Sequence, residues 1–333
     1  MLHRFFSYLL KNQVVLVFFL VIAAWFIFQI RGILTSIFIS YIIMAALNPF
    51  ATQLRNRRVP MVLSVAIPYL STILIVFLLV FPLIPFIFSQ VQSLLTSLPV
   101  FLNESGKAFG FSIDAKQIQS IVANELNNIG RNAFAVTSAV FGGVFSVLTI
   151  LIVSFYLMLY HDKFKHRVAE LFHKDLHQKI YSTLTRIDFK LGAWLRGQLV
   201  LMVFIGVLTW LTLTALGVPY ALPLAILAGI LEVIPTLGPT ISAIPAVIVA
   251  ITISPSLGLI VALSYFVIQM IENNFLVPKI MEKAVGLNPV FVILGVMIGA
   301  SLMGITGALL SIPFLSFLIV LFKSIADVES EKV

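Results

Sequence analysis

The stretch Glu232-Val233-Ile234-Pro235-Thr236-Leu237-Gly238-Pro239 interrupts an apolar run that extends from Val218 to Ile253. Proline ends helices because it lacks an N–H donor and clashes with the preceding turn, so this run cannot form one straight helix. A second apolar run, Pro289–Phe322, is interrupted in its middle at Gly304-Ile305-Thr306-Gly307. Because each run is long enough to enter a membrane and break there, the two runs predict two re-entrant helical hairpins.

The composition of the chain excludes a soluble protein. Of the 333 residues, 60% are hydrophobic and only 10% are charged, whereas an ordinary soluble domain has about 45–50% apolar and about 25% charged residues. One soluble core in a chain of this length cannot bury so much apolar surface. The 29 phenylalanines exclude intrinsic disorder, and the absence of cysteine excludes a disulfide scaffold and thiolate metal sites. The sequence therefore predicts an all-α polytopic membrane protein.

Uninterrupted apolar runs of at least about 17 residues predict membrane-spanning helices. Residues 89–131 and 161–196 are too polar to span, and their apolar side chains recur at helical spacing, so both segments predict amphipathic helices. The pattern leaves open whether lipid or protein covers them. Six spans are predicted in this way: Val14–Ile30, Ile33–Phe50, Val59–Phe88, Ala133–Tyr160, Leu199–Leu216 and Leu257–Val277. Together with the two interrupted runs they make about eight membrane elements.

These elements are expected to form a single membrane domain, 1–333, with three parts. Residues 1–160 contain four spans and an extracytoplasmic amphipathic segment, and they form a scaffold. Residues 161–196 form a cytoplasmic amphipathic segment. Residues 197–322 form a transport core that contains the hairpins 218–253 and 289–322.

Basic residues are gathered on one side of this predicted topology. With a cytoplasmic N-terminus, all but four of the 21 Lys and Arg residues lie on the cytoplasmic side, the exceptions being Arg31, Lys107, Lys116 and Arg131. Cytoplasmic loops of membrane proteins carry such an excess. The pattern predicts that both termini are cytoplasmic and that the hairpins open toward opposite sides.

The net charge of +8 does not indicate nucleic-acid binding, because the sequence contains no basic patch interleaved with aromatic residues.

The two interrupted runs also match each other. Glycine and proline are common in such helices, so chance coincidence is the alternative. Against chance, the matches fall at the break of each run, and each run follows a full span. Interrupted segments at corresponding positions of an inverted repeat indicate the binding site of a secondary transporter. A shift of 69 residues places Gly217 on Gly286, Pro235 on Gly304, Gly238 on Gly307 and Ser242 on Ser311.

Several motifs resemble those of the autoinducer-2 exporter family (AI-2E family) of bacterial permeases. They cover nearly the whole chain in order, and the P-x-x-G-P element at the first break is fairly specific. The motifs are Leu47-Asn48-Pro49, Leu195-Arg196-Gly197-Gln198, Glu232 to Pro239 with Pro245-Ala246, Glu272-Asn273-Asn274 with Pro278-Lys279-Ile280, and Gly286-Leu287-Asn288-Pro289. The resemblance implies a homo-oligomeric transporter of the bacterial inner membrane with about eight membrane elements. It implies either export of autoinducer-2 or sodium(lithium)/proton antiport.

Glu232 is the most deeply placed carboxylate of the predicted membrane domain. A charge inside a bilayer costs about 2.5–3.5 kcal/mol on insertion scales, so a residue of this kind indicates function. Burial favours the neutral carboxyl, which predicts that Glu232 exchanges a proton or binds a cation, with H⁺ or Na⁺ as the coupling ion. The alternative is a structural carboxyl that caps the main-chain amides of the break.

Polar residues near the breaks complete the predicted substrate and ion site. Glu272, Asn273 and Asn274 lie near the inner end of a span, where the amides either bind substrate or hold two helices together. Arg196 and Gln198 begin the fifth span, and Arg196 either anchors the helix at the interface or pairs with a carboxylate such as Glu272. The other candidates are residues of the breaks, whose main chain lacks helical partners: Pro235, Gly238, Pro239, Gly304 and Gly307.

No enzyme signature accompanies these residues. The sequence contains no H-E-x-x-H motif, no Walker motif and no redox cysteine pair. His173 and His177 have i, i+4 spacing, but without a third ligand nearby a solvated helix face is the better interpretation. We therefore expect no catalytic residue, no metal site and no cofactor.

The predicted function is secondary transport, either export of a small solute or exchange of cations for protons. The tips of the hairpins are expected to meet near the bilayer midplane, and the core is expected to slide or rock against the scaffold. The alternatives are a passive channel, which needs no titratable Glu232, and a membrane scaffold without transport. The expected partners are membrane lipid, a small solute or ion, and further copies of the chain.

Overall fold

The computed structural model describes residues 13–80, 133–234, 237–281 and 289–330. Every regular element in these ranges is helical, as the composition predicts. The extracytoplasmic segment 89–131, the end of the third predicted span and the break residue Pro235 lie outside the described residues. The predictions made for them stay predictions.

The described residues form eleven α-helices, numbered in chain order. The first five are α1 (Gln13–Gln29), α2 (Arg31–Asn56), α3 (Met61–Val80), α4 (Ala133–Leu159) and α5 (His161–Glu170). The other six are α6 (His177–Ala215), α7 (Ala221–Leu231), α8 (Leu237–Ile253), α9 (Pro255–Ile271), α10 (Val277–Met281) and α11 (Pro289–Ser330). A 3₁₀ turn, Lys174–Leu176, precedes α6, and a π-helical segment, Glu272–Leu276, joins α9 to α10.

Four of the described segments are long and apolar enough to cross a membrane. By length and composition these are Arg31–Asn56, Lys174–Ala215, Pro255–Met281 and Val290–Ser324, the last of which contains a kink at Met303 and Gly304. The apolar part of α4 meets α5 at an angle of 70°, and the two count as a fifth candidate if they form one broken span. Shorter apolar helices occur in α1, α3, α7 and α8. The predicted all-α polytopic membrane protein is confirmed, whereas its division into six spans and two re-entrant hairpins stays a prediction.

Helices α2, α3 and α4 pack around one apolar cluster. Met44, Val65 and Met158, one from each helix, are fully buried in this cluster. The hydroxyl groups of Tyr69 and Ser154 form a buried hydrogen bond of 2.5 Å between α3 and α4. Close packing around large apolar side chains makes these three helices a structural unit.

Helix α6 joins two segments that the sequence analysis separates. Residues 177–196 belong to the predicted amphipathic segment, and residues 199–216 form the fifth predicted span, yet α6 continues through both. No proline lies within α6 to end it earlier. Gly192 allows a close crossing with α2, because a Cβ atom there would lie 2.2 Å from the carbonyl oxygen of Ala45. No helix boundary therefore separates the amphipathic segment from the core.

Helices α7 and α8 form the first hairpin, and small residues let its parts approach closely. A Cβ atom at Gly238 would lie 2.1 Å from the carbonyl oxygen of Leu231, the last residue of α7. A Cβ atom at Gly229 would lie 2.8 Å from the carbonyl oxygen of Met202, where α7 packs on α6. A side chain larger than that of glycine does not fit at either position. The two glycines therefore allow α7 to pack closely on α6 and α8 to begin close to the end of α7.

Helix α11 consists of two arms that fold back on each other. Met303 and Gly304 leave helical geometry, and Gly304 has φ 60° and ψ −143°, a region close to one that is used almost only by glycine. A Cβ atom at Gly299 would lie 2.3 Å from the carbonyl oxygen of Gly307. In a continuous helix these two residues would be about 12 Å apart along the axis. The predicted break in this run is therefore confirmed, and its arms pack as a hairpin.

Candidate functional site

Glu232 lies at the C-terminal end of α7, at the first break, and is 1% exposed. The side-chain amide of Gln198, on α6, donates a 2.8 Å hydrogen bond to the main-chain carbonyl oxygen of Glu232. The last carbonyl groups of a helix lack helical donors, so a side-chain donor at this place satisfies one of them. Gln198, itself buried, therefore attaches the end of the first hairpin arm to α6.

Glu272 lies where α9 passes into the π-helical segment, and it is 2% exposed. The carboxyl groups of Glu272 and Glu232 lie close enough to interact with each other. The side-chain amide of Gln269 donates a hydrogen bond of 3.2 Å to Oε2 of Glu272. Single π turns inside helices are frequent at functional sites. The structure thus joins two carboxyl groups that the sequence analysis treated as separate candidates.

Two buried carboxyl groups this close together can share one positive charge. If both were ionised, the like charges would repel each other in surroundings that screen them poorly. A shared proton or a bound monovalent cation removes this repulsion. Oε2 of Glu232 is buried and has no hydrogen-bond partner among the described residues, so one acceptor is available to a further ligand. Within the same residues, no group of three or more Asp, Glu or His side chains forms a metal site.

Arg196 contacts the main chain of α2 rather than a carboxylate. Its guanidinium donates to the carbonyl oxygens of Ala46 and Ala45, at 2.9 and 3.4 Å. Pro49 lies inside α2 and has no N–H, so the carbonyl oxygen of Ala45 lacks its helical donor. Of the two predicted roles, pairing with Glu272 is not observed among the described residues. Arg196 instead joins the core helix α6 to the scaffold helix α2.

The two breaks have matching hydrogen bonds just after their tips. The hydroxyl of Ser242 donates to the carbonyl oxygen of Pro239 at 3.0 Å, and the hydroxyl of Ser311 donates to the carbonyl oxygen of Ala308 at 2.7 Å. Donor and acceptor of the first pair fall on those of the second when the sequence is shifted by 69 residues. Ser64, Ser71 and Ser182 make the same bond to the carbonyl group three residues earlier, so these bonds leave the repeat a prediction.

The second break lies against the beginning of α2, not against the carboxyl pair. Oγ1 of Thr35 lies 3.9 Å from Sδ of Met303, and a pocket of about 510 Å³ lined by Thr35 and Gly304 opens beside this contact. Ala46, which Arg196 contacts, lies 11 residues beyond Thr35, about 16 Å along the helix axis. Gly304 is thus beside another part of α2, whereas the nearest neighbours of Gly238 and Gly307 lie within their own helix pairs.

Asn273 and Asn274 are not brought to the carboxyl pair. Both side chains are exposed on the π-helical segment. The amide of Asn274 donates to the carbonyl oxygen of Met270 in the preceding turn of the same helix, at 2.8 Å. Their predicted roles in binding substrate or in joining helices therefore have no support from contacts of the described residues.

A buried charged cluster joins α2, α5 and α6, and sequence reasoning missed it. The carboxylate of Asp188 contacts Nε2 of His161 at 2.8 Å and accepts from Nζ of Lys165 at 3.3 Å, and the hydroxyl of Tyr41 donates to its other oxygen. A signal was present, because Asp188 is the only acidic residue of α6 and directly follows Ile187 of the apolar stripe. The cluster holds α5 and α6 against α2.

Comparisons with known proteins agree with this architecture. The family model described as "AI-2E family transporter" matches residues 14–327. "Putative transport protein YrrI" of Bacillus subtilis is 27% identical over 89% of this chain and 85% of its own length. "Putative transport protein YueF" of the same organism is 28% identical over 90% of this chain and 87% of its own length. "Putative transport protein YhhT" of Escherichia coli is 31% identical over 55% of this chain and 52% of its own length.

The family match extends over all four described parts of the chain, including both hairpins and the carboxyl pair. The helical membrane architecture is what a transporter requires, since helices satisfy their own main-chain groups in lipid. The chain is an integral membrane protein that belongs to the AI-2E family of transporters.

Proposed function

We propose that this protein is a secondary transporter in which Glu232 and Glu272 together bind the coupling ion. The observation that supports this function is the close approach of their two buried carboxyl groups. A carboxyl pair of this kind holds one positive charge, so it suits a proton or a Na⁺ ion. Transport then exports a small solute or exchanges a cation for protons, and the ion binds and leaves the pair once in each cycle.

The arrangement of the hairpins supports alternating access. In the proposal, residues 1–160 form the scaffold, and the core from residue 197 slides or rocks against it. The two hairpins enter from opposite sides of the membrane as inverted repeats. Their equivalence is supported by Gly238 and Gly307, which each lie close to a carbonyl group of the preceding arm.

The proposal places the protein in the bacterial inner membrane with both termini in the cytoplasm, as the distribution of basic residues favours. Helix α1 presents large apolar side chains such as Phe18 and Trp25 on its exposed surface. Exposed apolar surface of this kind needs lipid or another membrane helix as a neighbour. Lipid and further copies of the chain are the proposed partners of α1.

Flux measured in proteoliposomes tests the role of the carboxyl pair. Glu232→Gln and Glu272→Gln each keep the shape of the side chain and remove its charge, and Glu170→Gln, on the exposed face of α5, is the matched control. We expect flux driven by a pH or Na⁺ gradient in the parent protein and in the control. Each of the two site variants should lose this coupling while it remains folded.

The same measurement separates the alternatives. A passive channel would carry solute down the concentration gradient of that solute, without any pH or Na⁺ gradient. Its flux would not change in Glu232→Gln. A membrane scaffold would carry no solute in any variant. If both site variants keep gradient-driven flux across the pH range, the carboxyl pair is not the coupling site. If a variant fails to insert or assemble, structural capping by the carboxyl becomes the better explanation.

A further inference from the structure

A basic pocket lies between α6 and the second arm of α11, on a different part of α6 from Gln198. Its volume is about 530 Å³. The walls combine positively charged and apolar side chains, a combination that suits an amphiphilic anion. Its lining includes Arg186, Phe189 and Lys190 on α6 and Ser316, Val320 and Lys323 on α11.

No ion pair joins the cations of the pocket, Arg186, Lys190 and Lys323, to a side chain that the structure describes. Three positive charges around one pocket repel one another, and an anion placed between them relieves that repulsion. The electrostatics of the pocket therefore favour a ligand with a negative charge.

Ser316 supplies a free hydroxyl in the wall of the pocket. The residue is 3% exposed, and its Oγ has no hydrogen-bond partner in the described part of the chain. Buried hydroxyl groups nearly always have a partner, so an unpaired one beside a cavity needs an explanation. An oxygen atom of a bound anion would provide that partner.

The pocket is built into a well-packed contact between two helices. The hydroxyl groups of Thr183 and Ser324 are hydrogen-bonded across it at 2.5 Å. Ile187, Leu191 and Ile312 belong to one buried apolar cluster at the same contact. The walls are therefore held in place without a ligand, which reduces the entropy cost of binding.

The position of the pocket along α11 indicates the kind of anion. Lys323 is the first charged residue after the apolar run Pro289–Phe322, so the pocket lies where apolar surface gives way to polar surface. Phe189 is exposed beside it, and Ile319 and Val320 line the pocket on the other helix. Basic pockets between membrane helices at this level bind the head groups of anionic lipids.

We propose that this pocket binds the phosphate of an anionic phospholipid, with the acyl chains along Phe189 and Val320. Arg186, Lys190 and Lys323 contact the phosphate, and the hydroxyl of Ser316 donates to one of its oxygens. A lipid in this place also contacts α6, the helix that carries Gln198 and Arg196. This proposal is independent of the transported solute.

Lipid binding to the purified full-length protein tests the site. The probes are phosphatidylglycerol, phosphatidylcholine and sodium phosphate, measured by native mass spectrometry and by the shift in the thermal unfolding midpoint. Arg186→Gln/Lys323→Gln removes two cations of the pocket, and Arg167→Gln/Lys174→Gln removes two exposed cations outside it. Ser316→Ala removes only the buried hydroxyl.

We expect phosphatidylglycerol to bind and to raise the midpoint, while phosphatidylcholine binds weakly. The pocket double variant should bind phosphatidylglycerol on the order of 10- to 30-fold more weakly, Ser316→Ala several-fold more weakly, and the control double variant as the parent does. Equal binding of both lipids, or unchanged phosphatidylglycerol binding in both pocket variants, would overturn the proposal. Equal protection by sodium phosphate would assign the pocket to a soluble anion and overturn it as well.

Discussion

The side-chain amide of Gln198 is hydrogen-bonded to the main-chain carbonyl oxygen of Glu232, and this contact attaches the end of the first hairpin arm to α6. Two residues earlier on the same helix, Arg196 contacts Ala46 in α2. Gly197, between them, lies against α10, because a Cβ atom there would be 3.0 Å from Sδ of Met281. Three consecutive residues of α6 thus connect the carboxyl site, the scaffold and the segment that follows Glu272.

Replacement of Gln198 by methionine should weaken the fold and the site together. Met keeps the length of the side chain but cannot donate, so the carbonyl group of Glu232 is left buried and unpaired. Such a loss costs about 1–3 kcal/mol of unfolding free energy, and we expect a lower unfolding midpoint and reduced gradient-driven flux. Gln178→Met, an exposed position at the start of α6, is the control and should change neither quantity. An unaltered midpoint in Gln198→Met would show that the bond is unimportant.

Arg196 and Pro49 should be energetically coupled. Arg196→Met removes a charged donor from the carbonyl oxygens of Ala45 and Ala46, at a cost of about 1.5–3 kcal/mol. Pro49→Ala restores the main-chain N–H at position 49, which can donate to the carbonyl oxygen of Ala45. In the Pro49→Ala background, Arg196→Met should therefore lower the free energy of unfolding by less. Unfolding of the parent, both single variants and the double variant gives the coupling energy, expected to exceed about 0.5 kcal/mol. Strictly additive effects would contradict the inferred link.

Alanine at the two hairpin glycines should be destabilising. A Cβ atom would lie 2.1 Å from a carbonyl oxygen at Gly238 and 2.0 Å from one at Gly307, and such overpacking costs about 1–3 kcal/mol. Gly32→Ala and Gly143→Ala are the controls, since a Cβ atom at either position meets nothing within 4 Å. Those changes should be neutral or slightly stabilising, because alanine favours helix more than glycine does. Thermal unfolding that ranks all four variants alike would refute the close contacts.

A crosslink between α2 and the second break should stop transport if the core moves against the scaffold. The chain has no native cysteine, so Thr35→Cys/Met303→Cys can be joined by a short bifunctional thiol reagent across a contact of 3.9 Å. We expect joining to abolish flux and a cleavable reagent to restore it on reduction. Tyr69→Cys/Ser154→Cys, joined within the scaffold, should retain flux. Full flux in joined Thr35→Cys/Met303→Cys would exclude relative motion at this contact.

Labelling from outside the cell should distinguish the two sides of the membrane. Lys116, which lies outside the described residues, is predicted to react with an impermeant amine reagent applied to spheroplasts. Lys174, exposed in the turn before α6, should react only after the membrane is permeabilised. Mass spectrometry of the labelled peptides measures both. Labelling of Lys174 in sealed spheroplasts would reverse the proposed orientation and, with it, the directions in which the hairpins open.

Part of the candidate site can be predicted, because an ionisable residue within or beside an apolar run is recognisable in the sequence. Glu232 stands out as a carboxylate in an apolar run, and Glu272 lies close to another. Their partnership could not be predicted, since many residues separate them and no spacing rule relates the end of α7 to the end of α9. The sequence offers two alternative roles for Arg196, and neither includes the main chain of α2, because a donor to a carbonyl group has no sequence signature.

The sequence by itself determined the class of the protein and the positions of its breaks. Hydropathy, proline and glycine act locally along the chain, so the apolar runs and the turn at Gly304 follow from the residues nearby. Only the tertiary structure decided that Glu232 meets Glu272, that Arg196 meets Ala46 and that Asp188 contacts side chains of two other helices. The physical reason is that these contacts depend on which helix faces pack together, and packing is a property of the whole assembled domain.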